Sequence, residues 1–438
     1  MNTPISSRNM FLAEHARSRW GIHSEQAPAV LILLVVATML LPNEASFFVG
    51  TLRMTAARVL LLILAPLCLI RFTQRTSLLS YQFVWSDFFV PLTGLWMLLA
   101  VWISEGANRA IVGSGVTTLE FVGPYFAART LLVRHGQALA LAHLMSLVIG
   151  AVGMIALLDT FCGYYVTHYL ISKITGVSFI YLYDIRYGHL RAAATLEHPI
   201  LLGTACATGM LLGLTLSATK RAFALCGAGI GLLVSISSAP IMGAFVTFGC
   251  LVYRRLTPGF DARWRCAIIL WSLATALLLA VHPAPFGWLT SHLTFDSMSG
   301  YYRLLIWQIA GKVVLDSPIF GIGLTDDWAR PNWMPPSVDS LWLRSAMSFG
   351  IPGALLIAAC IIGSCSRKLD TPTAALSEDE RRLGVALSLV QFLYILLGFT
   401  VHFWGVTWIL MGFCAGIRSH LGGLANPACP QSPSPLSA

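Results

Sequence analysis

The feature that most constrains this chain is a succession of apolar stretches, each near the length that crosses a bilayer, repeated almost from end to end. A bilayer core needs about 20 apolar residues in a tilted helix. Stretches of this kind lie near 28–42, 54–70, 84–103, 117–133, 137–158, 198–218, 222–236, 239–252, 266–282, 345–363, 384–400 and 402–417. Inside hydrocarbon the backbone has to satisfy its own polar groups, so each stretch reads as a helix. The expected fold is therefore all-α, a polytopic transmembrane helical protein with about 12 spans and a large extracytoplasmic loop between spans 9 and 10. Composition argues against a large soluble helical protein. Of the 438 residues 56% are hydrophobic and 11% charged, whereas soluble domains carry about 25% charged residues.

The net charge of +9 does not point to nucleic acid, because the basic residues are scattered in ones and pairs with no stripe that could track a phosphate backbone. They act instead as topology determinants. With the N-terminus in the cytoplasm, 17 of the 28 lysines and arginines fall inside and nine outside, and Arg58 and Arg129 lie within spans. Fusing 222–252 into one helix would place the cluster from Arg254 to Arg265 outside, against the positive-inside rule. A break is therefore expected at 236–240, around Ser237, Ser238 and Pro240, and both termini face the cytoplasm. The domain plan is a cytoplasmic segment at 1–27, a membrane domain at 28–418 with outer segments 160–197 and 283–344, and a disordered cytoplasmic tail at 419–438. The ten cysteines form no CxxC pair or zinc spacing and read as small hydrophobes.

Several residues carry chemical potential. Arg129, in GPYFAAR, is an intramembrane arginine; it either faces a polar cavity, with Gly123 and Pro124 interrupting the helix beside it, or snorkels to the headgroups. In RAAATLEHPILLG, Pro199 suits a first helical position, and the helix N-terminus favours an anion that Arg191 would face. His198 would exchange a proton there, or serve as a structural histidine. Arg303, in YYRLLIWQIA, has the planar fork that suits a pyrophosphate, or anchors at the headgroups. A helix followed by a loop is expected from Tyr301 onward. Asp339 precedes a late span and either accepts a proton from an attacking hydroxyl or caps the helix. Gly321 to Gly323 lack a βαβ context, which excludes a Rossmann reading and favours tight backbone packing.

Taken in order, these stretches resemble the O-antigen ligase/polymerase superfamily, most closely its exopolysaccharide repeat-unit polymerases. RAAATLEHPILLG is similar to the family's Arg-Ala-x-Gly-x-Phe-x-His-Pro-Ile-x-x-Gly through Arg191, His198, Pro199, Ile200 and Gly203, with Ala194 and Leu196 replacing glycine and phenylalanine. The block from Arg303 and Trp307 to DSPIFGIGL resembles its Arg-x-x-x-Trp…Pro-x-x-Gly-x-Gly signature, and SVDSLWLRSAMSFGIPG its closing motif. Ligases usually carry histidine and asparagine where this chain has Asp339 and Ser340, which favours the polymerase branch.

The resemblance implies a lipid-carrier glycosyltransferase in a bacterial inner membrane, its site facing the periplasm. Donor and acceptor would be undecaprenyl-pyrophosphate-linked oligosaccharides, with membrane lipids, a flippase and a chain-length regulator as further partners and no nucleic acid. Arg191, Arg303 and Arg129 would hold the pyrophosphate, and Asp339 or His198 would take the acceptor proton. The sugar–phosphate bond is already activated and no carboxylate–histidine cluster calls for a metal, so no cofactor is expected. Competing readings are a ligase that transfers glycan to lipid A core or protein, a secondary transporter, for which the halves show no convincing repeat, and a non-catalytic assembly factor.

Overall fold

The computed structural model describes residues 30–77, 82–132, 136–178, 183–260, 262–281, 297–367, 369 and 376–424. The N-terminal segment 1–27, residues 425–438 of the expected tail and residues 283–296 of the second outer segment lie outside the described residues. The helices, in chain order, are α1 (Val30–Leu40), α2 (Ala56–Ser77), α3 (Ser86–Glu105), α4 (Gly115–Leu131), α5 (Gln137–Cys162), α6 (Val166–Thr175) and α7 (Pro199–Gly213). They continue as α8 (Ala218–Val234), α9 (Ser238–Leu256), α10 (Arg263–Val281), α11 (Ser297–Asp316), α12 (Leu341–Ser364), α13 (Glu378–Leu397) and α14 (Val406–Leu424). Two small antiparallel hairpins interrupt them, β1 (Ser46–Val49) with β2 (Leu52–Thr55) and β3 (Ile185–Arg186) with β4 (His189–Leu190).

The chain is thus all-α in architecture, and each apolar stretch read from the sequence falls on a helix. Among the described residues five helices, α2, α3, α5, α10 and α12, are long and apolar enough to cross a membrane. This is the make-up of a multi-pass membrane protein. Helix α10 makes the point most directly: no residue on it is buried, and an apolar helix uncovered around its whole circumference is stable only where hydrocarbon surrounds it.

Without a hydrophobic drive in lipid, helices associate by close packing of small residues. Gly150 and Gly153 of α5 meet Gly227 and Gly231 of α8 so closely that a Cβ on Gly153 would overlap the Gly227 carbonyl, and one on Gly227 the Gly150 carbonyl. The same device joins α14 to α4. There a Cβ on Gly412 or Gly416 would lie 2.5 Å from the carbonyl oxygens of Phe121 and Tyr125.

The break expected at 236–240 falls at 235–237, with Ile236 in the left-handed region at φ 44° and Pro240 in the first turn of α9. The interruption expected at Gly123–Pro124 is absent. Helix α4 runs unbroken through both, as packed neighbours allow for proline in apolar surroundings, and the irregularity lies earlier, in a π-helical turn at Ala110–Ser114. Helix α14 extends to Leu424 rather than giving way to a tail at 419, because Gly422 and Gly423 let it close against Arg367 and Arg129.

After α11 the chain threads into a break in α12 at Gly350 (φ 73°). The Ile322 amide donates to the Met347 carbonyl at 2.7 Å, and the Ile351 amide to the Pro318 carbonyl at 2.8 Å. A Cβ on Gly321 would overlap the Met347 carbonyl and one on Gly350 the Ile319 carbonyl. Gly321 of the GIG stretch therefore serves close backbone packing, and Gly323 lies against the Glu105 side chain.

Candidate functional site

Residues 398–405, between α13 and α14, form a floor on which three distant elements converge. The Leu341 amide donates to the Val401 carbonyl at 2.9 Å, and the Ser340 hydroxyl to the Gly398 carbonyl at 2.9 Å. The Trp307 indole donates to the Phe399 carbonyl at 3.2 Å and stacks on its ring. His198 packs edge-on against Trp404, 6.1 Å between ring centres, and Trp404 lies against His402. The starts of α7 and α12 and the body of α11 thus share one loop, which gathers His198, Asp339 and Arg303 at one end of the bundle.

Ser340, not Asp339, caps α12: its hydroxyl accepts the Leu343 amide at 3.3 Å. The cap reading of Asp339 is corrected accordingly, and Asp339 is exposed. Neighbouring protein that displaces water raises the Asp339 carboxyl above its ordinary range, while the charges of Arg303 and Arg191 pull it back. Arg303 is half-buried and makes no hydrogen bond or ion pair among the described residues; burial lowers its guanidinium, and Asp339 counters this. The Tyr302 hydroxyl beside them also lacks a partner.

His198 is the N-cap of α7, and its Nδ1 accepts the Ile200 amide at 3.2 Å. That contact leaves the ring proton on Nε2. Burial, with the charges of Arg191 and Arg186 adding to it, pulls His198 down to about 4, so the ring is a neutral hydrogen-bond donor near neutral pH.

Arg191 is 3% exposed and braces the α8–α9 break. Its Nε donates to the Ser235 carbonyl at 3.1 Å, and its other nitrogens to the Ser237 hydroxyl and the Asp184 carboxylate. The neighbouring Ala192 amide donates to the Val234 carbonyl at 3.0 Å. Carbonyls freed where α8 stops are thereby satisfied. Its charge reaches Asp339 and His198, while its hydrogen bonds belong to the fold.

The RAAATLEHP loop is held from several sides. Asp159 at the end of α5 accepts the Val166 amide at 2.9 Å on one oxygen and the Ala193 and Ala194 amides at 3.1 and 2.8 Å on the other. This fixes Ala194 at a left-handed φ of 56°. His168 donates from Nε2 to the Leu196 carbonyl at 2.9 Å, and its Nδ1 pairs with Glu44 at 2.7 Å. The two contacts fix the orientation of the ring under the loop. Glu197 accepts from the Asn43 amide at 2.9 Å on one oxygen and leaves the other unpaired, and burial raises it to about 7.

Arg129 stands apart. It is 3% exposed and forks onto Asp87, with Nε–Oδ1 at 2.9 Å and a second contact at 3.0 Å. Asp87 opens α3, and the far end of the same helix, Glu105, accepts the Leu324 amide. Eighteen residues of helix separate the two ends, about 27 Å. Arg129 is thus a buried structural pair and not part of the cluster. Residues that the motifs did not single out include Asp184, Arg186 and the 398–405 floor. The one local cue to the first two is Tyr187–Gly188, both at positive φ, as in a two-residue hairpin turn. No family model matches the chain, and no curated protein compared with it matches.

Proposed function

We propose that the chain is a multi-pass membrane glycosyltransferase that polymerises polyprenyl-pyrophosphate-linked oligosaccharide units at the outer face of a cytoplasmic membrane. In this reading all twelve apolar helices cross the bilayer, both termini are cytoplasmic, and the α11 segment lies outside. One observation carries the reading: Arg303, a guanidinium without a partner among the described residues, beside Asp339, a carboxylate left open by the cap on its neighbour. A cation and a base side by side are what displacement of a pyrophosphate by a hydroxyl requires.

Arg303 holds the pyrophosphate and stabilises the charge that grows on it as the anomeric C–O bond breaks. The acceptor hydroxyl attacks the same carbon from the opposite face, inverting it, and its proton passes to Asp339. The Nε2–H of His198 donates to an oxygen of donor or acceptor, and Trp404 offers a face for a sugar ring. Arg191 keeps the α7 end of the site in place. The test is reconstitution of the purified protein with carrier-linked oligosaccharide and sizing of the products. Arg303→Ala and Asp339→Asn are each expected to lower elongation by about 10²–10⁴-fold at unchanged abundance. Transfer of finished glycan to a lipid A core without elongation would replace the polymerase reading by a ligase one.

A further inference from the structure

At the end of the bundle away from Arg303 and Asp339, an open groove of about 660 Å³ runs between the start of α3, the end of α12 and the middle of α13. Its walls include Trp85, Phe89, Ile361, Ile362, Phe392 and Ile395. Helices α3 and α12 are both long and apolar enough to cross a membrane, so the groove opens toward hydrocarbon. Apolar walls alone do not identify an occupant. Two further features do.

The first is Gln391, which lines the groove at 2% exposure with neither its amide nitrogen nor its amide oxygen hydrogen-bonded among the described residues. A buried amide left unpaired is costly. An alkyl chain cannot relieve that cost, whereas an ester carbonyl accepts from the amide and a glycerol hydroxyl donates to it. The second is positive charge at one end. Arg367 follows the lining residues Cys365 and Ser366 and donates to the Phe83 carbonyl at 3.2 Å. Arg418 donates at 2.9 Å to the hydroxyl of Ser388, itself a lining residue. Ser388 and Gln391 are three residues apart on α13, about 4.5 Å along the axis. Cation, then amide, then apolar wall is the order of phosphate, ester and acyl chain in a glycerophospholipid.

We propose that this groove binds one anionic glycerophospholipid, with its acyl chain along the Trp85–Phe392 walls, its ester on Gln391 and its phosphate beside Arg367. A polyprenyl phosphate would meet Arg367 but has no ester for Gln391, so the site is distinct from any site for a glycan carrier. It stands whether or not the protein transfers glycans.

The test is native mass spectrometry of the full-length protein, delipidated in detergent and titrated with phosphatidylglycerol, phosphatidylcholine or undecaprenyl phosphate, with thermal unfolding alongside. The wild type is expected to retain one phosphatidylglycerol about tenfold more tightly than phosphatidylcholine and to unfold at a higher temperature with it. Ala359→Trp, which fills the groove, is expected to lose the retained lipid. Gln391→Leu carries the argument even if that variant does not fold. Free of lipid it should be at least as stable as the wild type, because the unpaired amide is gone, while its affinity for phosphatidylglycerol falls about tenfold. Equal retention by wild type and Ala359→Trp, or unchanged affinity in Gln391→Leu, overturns the site. Phosphatidylcholine bound as tightly as phosphatidylglycerol, or undecaprenyl phosphate bound more tightly than either, overturns the lipid assignment.

Discussion

Replacing Asp159 by asparagine tests how the site is assembled rather than how it reacts. The carboxylate holds three backbone amides with two oxygens, Val166 on one and Ala193 with Ala194 on the other. Asparagine keeps the shape but has one oxygen. If that oxygen serves the alanines, the Val166 amide faces an NH₂ and is stranded. Losing the charge weakens the two retained bonds by about 1 kcal/mol each, and stranding a buried donor costs about 1–3 kcal/mol more. The sum is about 4 kcal/mol, and Ala194, strained at φ 56°, has less to keep it there. The RAAATLEHP loop should then open on its own, with amide exchange at Ala193 and Ala194 about a thousandfold faster than in the wild type. Hydrogen exchange followed by mass spectrometry of the purified protein measures this directly. Exchange and unfolding temperature indistinguishable from wild type in Asp159→Asn would refute the bracket.

Three further outcomes follow from the same geometry. Glu197 is raised to about 7 from an ordinary 4.5, so the folded state holds a proton that the unfolded chain has released. Stability should fall as pH rises from about 4.5 to 7, by about 3 kcal/mol, and Glu197→Gln should abolish that slope in unfolding measurements. Because Arg303 lowers Asp339 against burial, Arg303→Met should push the carboxyl further above its ordinary range, read as a carboxyl infrared band that persists to higher pH than in the wild type. Gly227→Ala should prevent accumulation of folded protein, since its Cβ would overlap the Gly150 backbone. Gly229→Ala on the same helix, with nothing within 4 Å, should be neutral or stabilising by up to about 1 kcal/mol.

The helices were legible because apolar length is a local property of the chain, and the α8–α9 break because basic residues on either side of it have to share a side of the membrane. The roles of the three arginines were not, because each depends on a partner far along the chain. Arg129 and Arg191 are the same residue type as Arg303 in comparably apolar surroundings; what separates them is Asp87, 42 positions from the first, and Ser235, 44 from the second. Asp339 and Ser340 are equally good caps on composition, and only the Gly398 carbonyl, which takes the Ser340 hydroxyl, decides between them. Charge reach and hydrogen-bond reach also differ: Arg191 acts on His198 and Asp339 through its charge and hydrogen-bonds to neither among the described residues.

The break at Gly350 is where α12 is fastened, not freed. Its first half holds the loop that follows α11 through Met347 and the 398–405 floor through Leu341 and Trp342, and its second half holds the same α11 loop through Ile351. The elements that carry Arg303, Asp339 and His198 are all fastened to that one floor, Trp307 and Ser340 by hydrogen bonds and His198 through Trp404. Turning the chain at Gly350 would break the Ile322–Met347 and Ile351–Pro318 hydrogen bonds on either side of it. The glycine that interrupts α12 thereby works as a clasp, locking a membrane-length helix to the segment that carries Arg303.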